Sequence, residues 1–141
     1  MRSVVIILAC LLAAGCSSKT AGPQEQTRDV GGMLVQVSVR PGLPQDESSA
    51  APDAGAQVGD NTLIVTLHDD RSNAVIPDAN VSAAPSTTLV DDQRAESGRS
   101  QGNGVYFVPI RFAVPDTYTV LVTVDRTGKS ESSAQFAITA G

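Results

Sequence analysis

The chain predicts an all-β fold, a single β-sandwich of about seven antiparallel strands, and three observations predict it. Apolar and polar residues alternate at a period of two in several stretches. Pro, Gly, Asn and Asp break the chain between those stretches, at roughly 8–12-residue intervals. No segment after residue 15 carries a helical period, and 141 residues with 41% hydrophobic content suit one domain with a packed core.

The first strand is expected over residues 33–40, where Met33, Val35, Val37 and Val39 share one face and Pro41-Gly42-Leu43-Pro44 ends the run. Residues 45–59 are small and polar (Ala, Asp, Ser, Gly, Pro) and read as a mobile loop. Residues 62–69 form the next strand, with Leu63, Val65 and Leu67 inward and Thr62, Thr66 and His68 outward; residues 69–73 carry turn chemistry. A short strand over 81–84 lies between Pro77 and Pro85, and 94–97 reads as an edge strand. Three Gly and an Asn make 98–104 a turn. Residues 105–112 are again a strand, and Pro109 within it implies an edge position or a bulge.

Residues 118–125 set Tyr118, Val120, Val122 and Val124 against Thr119, Leu121 and Thr123, apolar enough on both faces to be central. A hairpin loop at 126–129 leads into 132–139, with Ala134, Phe136 and Ile138 inward. Short strands of this spacing predict an immunoglobulin-like sandwich over residues 32–141. Tyr118, early in a late strand, is expected to be the tyrosine of a sandwich corner, a structural role.

The N-terminus reads differently. Arg2 and the apolar run of residues 4–12 have the form of an export signal, and about nine apolar residues are too few to cross a bilayer. The run ends Leu12-Ala13-Ala14-Gly15-Cys16, which resembles the bacterial lipobox. That resemblance implies a signal peptide over 1–15, removed by cleavage, and lipid (palmitate among its acyl chains) on Cys16 as a membrane anchor. Ser17 rather than Asp after the cysteine favours the outer membrane, with the face undetermined. Residues 16–31 are polar and small, and are expected to be a flexible tether.

Several function classes are excluded. The net charge is −5, and the basic residues are scattered rather than patched, so nucleic acid is not an expected partner. With 4% aromatics and no Trp there is no stacking platform. Cys10 lies in the leader and Cys16 at the anchor, leaving no thiol for a nucleophile, redox pair or Cys-based zinc site. No G-x-S-x-G is present and the single histidine, His68, has no recognisable catalytic partner, so an enzyme is not expected. His68-Asp69-Asp70 is the only plausible nucleus for a divalent metal, and Asp69-Asp70 could bind calcium if the fold brings Asp91-Asp92 to the same end of the sandwich. Otherwise no cofactor is expected.

Four stretches stand in order along the chain: Gly59-Asp60-Asn61-Thr62, Ile76-Pro77-Asp78-Ala79-Asn80-Val81, Gly104-Val105-Tyr106 and Pro115-Asp116-Thr117-Tyr118. Their order resembles the YtkA-like domain, an immunoglobulin-like module of bacterial lipoproteins and of proteins of metal efflux and cytochrome assembly. The resemblance spans roughly residues 33–139. Asp116 stands where that family often has Gly, and Tyr118 where it often has Trp. Carboxypeptidase-regulatory-like and invasin-like modules share the second stretch. The resemblance implies an accessory role in the cell envelope, linked to copper or other heavy metals. The Met and His residues on which the family's metal chemistry leans are missing from 85–92.

Three functional expectations follow. The first is a non-enzymatic, membrane-anchored accessory module for an envelope protein complex, binding by end loops or by strand addition. The second is a periplasmic metal-handling protein, and the third an adhesin-type surface spacer.

Overall fold

In the computed structural model, which describes residues 24–43, 55–90 and 94–141, the chain folds into nine strands in two antiparallel sheets and the described residues contain no helix. The expected leader over 1–15, Cys16 and most of the expected loop at 45–59 lie outside the described residues. The strands are β1 (Gln26–Val30), β2 (Met33–Pro41), β3 (Gly59–Asp69), β4 (Asn80–Ser86), β5 (Glu96–Ser97), β6 (Arg99–Gly102), β7 (Val105–Phe112), β8 (Asp116–Asp125) and β9 (Ser132–Ala140). The first sheet has the order β1-β2-β3-β7-β6 and the second β5-β4-β8-β9. Without β1, this is the immunoglobulin arrangement of a four-strand sheet facing a three-strand sheet with one short extra edge.

Alternation dictates the core. Met33, Val35, Val37 and Val39 of β2 meet Leu63, Val65 and Leu67 of β3 on one inner face. Tyr118, Val120, Val122 and Val124 of β8 meet Phe136 and Ile138 of β9 on the other. Each of these side chains is at most 3% exposed, and side chains of this size contribute roughly 1.5–3 kcal/mol apiece when fully buried. The expected central place of β8 is observed, between β4 and β9.

Four local differences have physical causes. The expected tether reached residue 31, but Gln26–Val30 pairs along its length with β2, in the register Gln26↔Val37 to Val30↔Met33. Its sequence (Gln-Thr-Arg-Asp-Val), exposed at the three middle residues, has no apolar alternation to betray a strand; backbone pairing holds it, with Val30 packed against the core. Ala56, in the expected loop, is buried and bridges Ala140, while Gly59 already belongs to β3. Thr62, expected outward, is fully buried, and its hydroxyl offsets the cost by donating to the Gly42 carbonyl at 2.8 Å.

The expected turn at 98–104 is mostly strand. Glu96–Ser97 pairs with β4 in one sheet and Arg99–Gly102 with β7 in the other, so a single segment crosses between sheets and closes that side of the sandwich. Only Asn103-Gly104 turns. Gly98 stands at the crossing, where its N–H donates to the Val81 carbonyl at 2.7 Å. A Cβ there would lie 2.9 Å from Val108 Cγ2, so no side chain fits without a shift.

The edges are guarded. β5 pairs only Ser82 and Ala83 of β4, and β6 pairs no residue of β7 beyond Phe107. The uncovered halves of β4 and β7 carry Pro85 and Pro109, which lack the N–H an incoming strand needs. The edge position expected of Pro109 is thus a half-edge of an otherwise interior strand.

Candidate functional site

The two ends of the sandwich differ in chemistry. At one end lie the β1–β2 turn at Gly31-Gly32, the 69–74 turn and the β8–β9 hairpin with Arg126 and Lys129. At the other lie Gln24, the start of β8 at Asp116, the end of β4 at Ser86 and the end of β9 at Ala140.

His68, Asp69 and Asp70 sit at the first end but do not converge as ligands. His68 is half-buried in β3 opposite Leu34, with its other side bridged to Val75. The Asp69 carboxylate is occupied as a turn cap: Oδ1 accepts from the Arg71 N–H (2.9 Å), the Ser72 N–H (2.9 Å) and the Ser72 hydroxyl (3.1 Å). Those bonds, with the Arg126 charge adding to them, hold its pKa below the usual carboxylate value. Asp70 faces Asp29 instead. The Asp29 carboxyl is raised by its partial desolvation first, then by the Asp70 charge and a hydrogen bond to it. Among the described residues no group of three or more His, Cys, Asp or Glu side chains is placed to hold a metal ion. Asp91 and Asp92 lie outside the described residues.

The four stretches behind the family resemblance prove to be structural latches. Asn61 is fully buried; its Oδ1 accepts from the Gln57 N–H (2.9 Å), and its Nδ2 donates to the carbonyls of Gln57 (2.7 Å) and Gly59 (3.0 Å). The Tyr106 hydroxyl donates to the Ile76 carbonyl (2.7 Å) and accepts from the Ala79 N–H (3.1 Å), joining the second stretch to the third. Burial raises the Tyr106 pKa, the Ala79 N–H pulls it back, and the Asp78 charge raises it. Gly104 (φ 74°) lies where a Cβ would come within 2.8 Å of the Leu67 carbonyl oxygen. Tyr118 is fully buried, and its hydroxyl donates to the Val114 carbonyl (2.9 Å) and accepts from its N–H (3.0 Å). This bond is local, to a residue four positions upstream. Sequence reasoning missed Asn61 and Tyr106 as latches, although both lie in the motifs it singled out.

At the opposite end a hollow of about 420 Å³ opens beside the start of β8, lined by Ser86, Thr87, Thr88, Asp116, Thr117 and Thr119. The Thr87 hydroxyl donates to Asp116 Oδ2, tying the turn after β4 to β8. The lining holds no histidine, since His68 belongs to the far end, and its one carboxylate is that of Asp116.

No known protein family matches the chain, and no curated protein does. Solved structures do resemble it. A DUF4426 family protein from Pseudomonas aeruginosa PAO1 superposes with a TM-score of 0.54 at 12% identity, covering 82% of this chain and 94% of that one. A copper-bound variant of FetP from uropathogenic Escherichia coli strain F11 gives 0.53 at 10% identity, covering 82% and 95%. The soluble domain of PmoD from Methylocystis sp. ATCC 49242 (Rockwell) gives 0.51 at 16%, covering 82% and 96%. At these identities the chain shares with them a fold, the immunoglobulin-like sandwich.

Proposed function

We propose that the chain is a lipid-anchored, non-enzymatic accessory module of the bacterial cell envelope that presents its charged loop end to a protein partner. The observation that carries this reading is the position of Gln24. It docks on the last residues of β9, at the end of the sandwich opposite the 69–74 turn. It lies eight residue steps along the chain from Cys16, a reach of at most about 28 Å. β3 alone, with 11 residues, is about 36 Å long. An anchor on Cys16 therefore holds the hollow end toward the membrane and directs Asp29, Asp70, Arg71 and Lys129 away from it. Guarded edges make those loops a better contact surface than strand addition.

The test is a photo-crosslinker placed at Ser72 or at Lys129 in cells, compared with one at Ser133 on the outer sheet face. The reading expects one envelope protein captured from the loop positions alone, and loss of membrane retention and of capture in Cys16→Ala. Capture from Ser133 alone, or membrane retention unchanged in Cys16→Ala, would sink it.

The metal-handling reading draws its support from the likeness to a copper-bound FetP variant. Its test is thermal unfolding with copper or zinc against chelator. A rise of several degrees abolished by His68→Ala would favour it over the accessory reading.

A further inference from the structure

The hollow at the β8 start has a donor and acceptor inventory that selects a ligand class. Every lining side chain is a hydroxyl or a carboxylate: Ser86, four threonines and Asp116. Thr87 is committed to Asp116 and also accepts from the Leu89 N–H (3.4 Å), Ser86 donates to the Thr119 carbonyl (3.2 Å), and Thr117 pairs with Thr139 (2.9 Å). Among the described residues this leaves Asp116 Oδ1 and the hydroxyls of Thr88 and Thr119 with no protein partner, all lining the same hollow.

An anionic ligand has no Lys, Arg or His to meet in this lining, and it would be repelled by Asp116. An apolar ligand would strip water from hydroxyls and give nothing back. A calcium ion takes 6–8 oxygens and several carboxylates, where the hollow offers one. A neutral ligand dense in hydroxyls satisfies both sides, because each sugar hydroxyl donates and accepts as the lining does. The carboxylate oxygen supplies the one charge-assisted bond.

The surface beyond the hollow continues this chemistry. The outer face of the β4-β8-β9 sheet runs on through the cross-strand rows Ala84–Leu121–Gln135 and Ser82–Thr123–Ser133 without a charge. Leu121 is 38% exposed at its centre and Leu89 is 65% exposed on the turn that carries Thr87 and Thr88, each an apolar contact for the C–H face of a ring. We propose that the hollow and this uncharged face form a binding site for a neutral glycan chain. With no aromatic in the lining, affinity rests on hydrogen bonds and is weak, a dissociation constant on the order of 1 mM. The site depends on neither the anchor nor a protein partner.

The test is a titration of the purified full chain, followed by backbone amide shifts, with neutral tetrasaccharides of glucose, mannose and N-acetylglucosamine. The expected result is shifts confined to Thr87, Thr88, Thr117 and Thr119 and the adjoining face with at least one of the three, weakened about tenfold in Asp116→Ala. Thr119 is exposed, so Thr119→Val leaves the fold intact and is expected to weaken binding several-fold. No shift at these residues with any of the three sugars overturns the proposal. So does equal binding in both variants, or a response there to a sulfated oligosaccharide or to calcium alone instead.

Discussion

The side-chain amide of Gln24 holds both backbone groups of Thr139: its Nε2 donates to the carbonyl at 2.7 Å and its Oε1 accepts from the N–H at 2.7 Å. Gln26 repeats half of the arrangement two residues on, donating to the Ala137 carbonyl at 2.6 Å. Two glutamines thus imitate one further strand along β9, and Arg126 adds a bond to the Gly31 carbonyl (3.2 Å) at the far end of the seam. An edge strand left bare is a template for aggregation, and here side chains rather than a covering strand occupy it.

Gln24→Ala removes both bonds. We expect a loss of about 1 kcal/mol in unfolding free energy and faster hydrogen exchange at the Thr139 amide. Exchange at Thr139 unchanged from the parent would mean the clip is open in solution.

Tyr106 and Tyr118 each satisfy one part-buried carbonyl and one N–H through a single hydroxyl. Replacing either with Phe leaves both groups unpartnered, at an expected cost of about 1–3 kcal/mol each by denaturant titration. The pair should add, because their latches share no residue: Tyr106 ties Ile76 and Ala79, and Tyr118 ties Val114.

Gly98→Val tests the crossing between sheets. The new side chain meets Val108 Cγ2 and the Val81 carbonyl oxygen, backbone on one side and core on the other. The expected loss is about 1–3 kcal/mol, with Gly98→Ala smaller. A neutral result in thermal unfolding would mean the crossing segment is not packed against Val108.

The two carboxyls at the charged end respond oppositely to pH. Asp69, held low by its turn bonds, contributes stability that is present above the usual carboxylate pKa and is lost as pH falls through its lowered value. Asp29, held high, works the other way: its penalty is absent in acid and grows as pH rises through the usual carboxylate value toward its raised one. Asp70→Asn removes the charge facing Asp29, so it should raise the melting temperature at neutral pH and lose that advantage in acid. An Asp29 carboxyl titration unchanged by the substitution would exclude the contact.

The core was legible in the sequence because a strand buried on one face leaves a period-two signature. Met33 to Val39, Leu63 to Leu67 and Tyr118 to Val124 all announce which side faces inward, and the sandwich follows from their number and spacing. β1 was not legible, since it is held by backbone pairing and by glutamine amides that any polar tether could contain. Nor was the split of 96–102 between two sheets, because Glu96, Ser97 and Arg99 to Gly102 are all exposed and only their partners distinguish the halves.

The candidate site divides in the same way. By itself the sequence determined the class of chain: an all-β sandwich, acidic, with no cysteine after Cys16. Only the tertiary structure decided what its polar residues do. It turned Asp69 into a turn cap, set Asp70 against Asp29, and carried Thr87 to Asp116, 29 residues away, to line one hollow. The physical reason is that burial repeats along the chain, whereas a hydrogen bond depends on distance and direction between groups that the fold alone brings together.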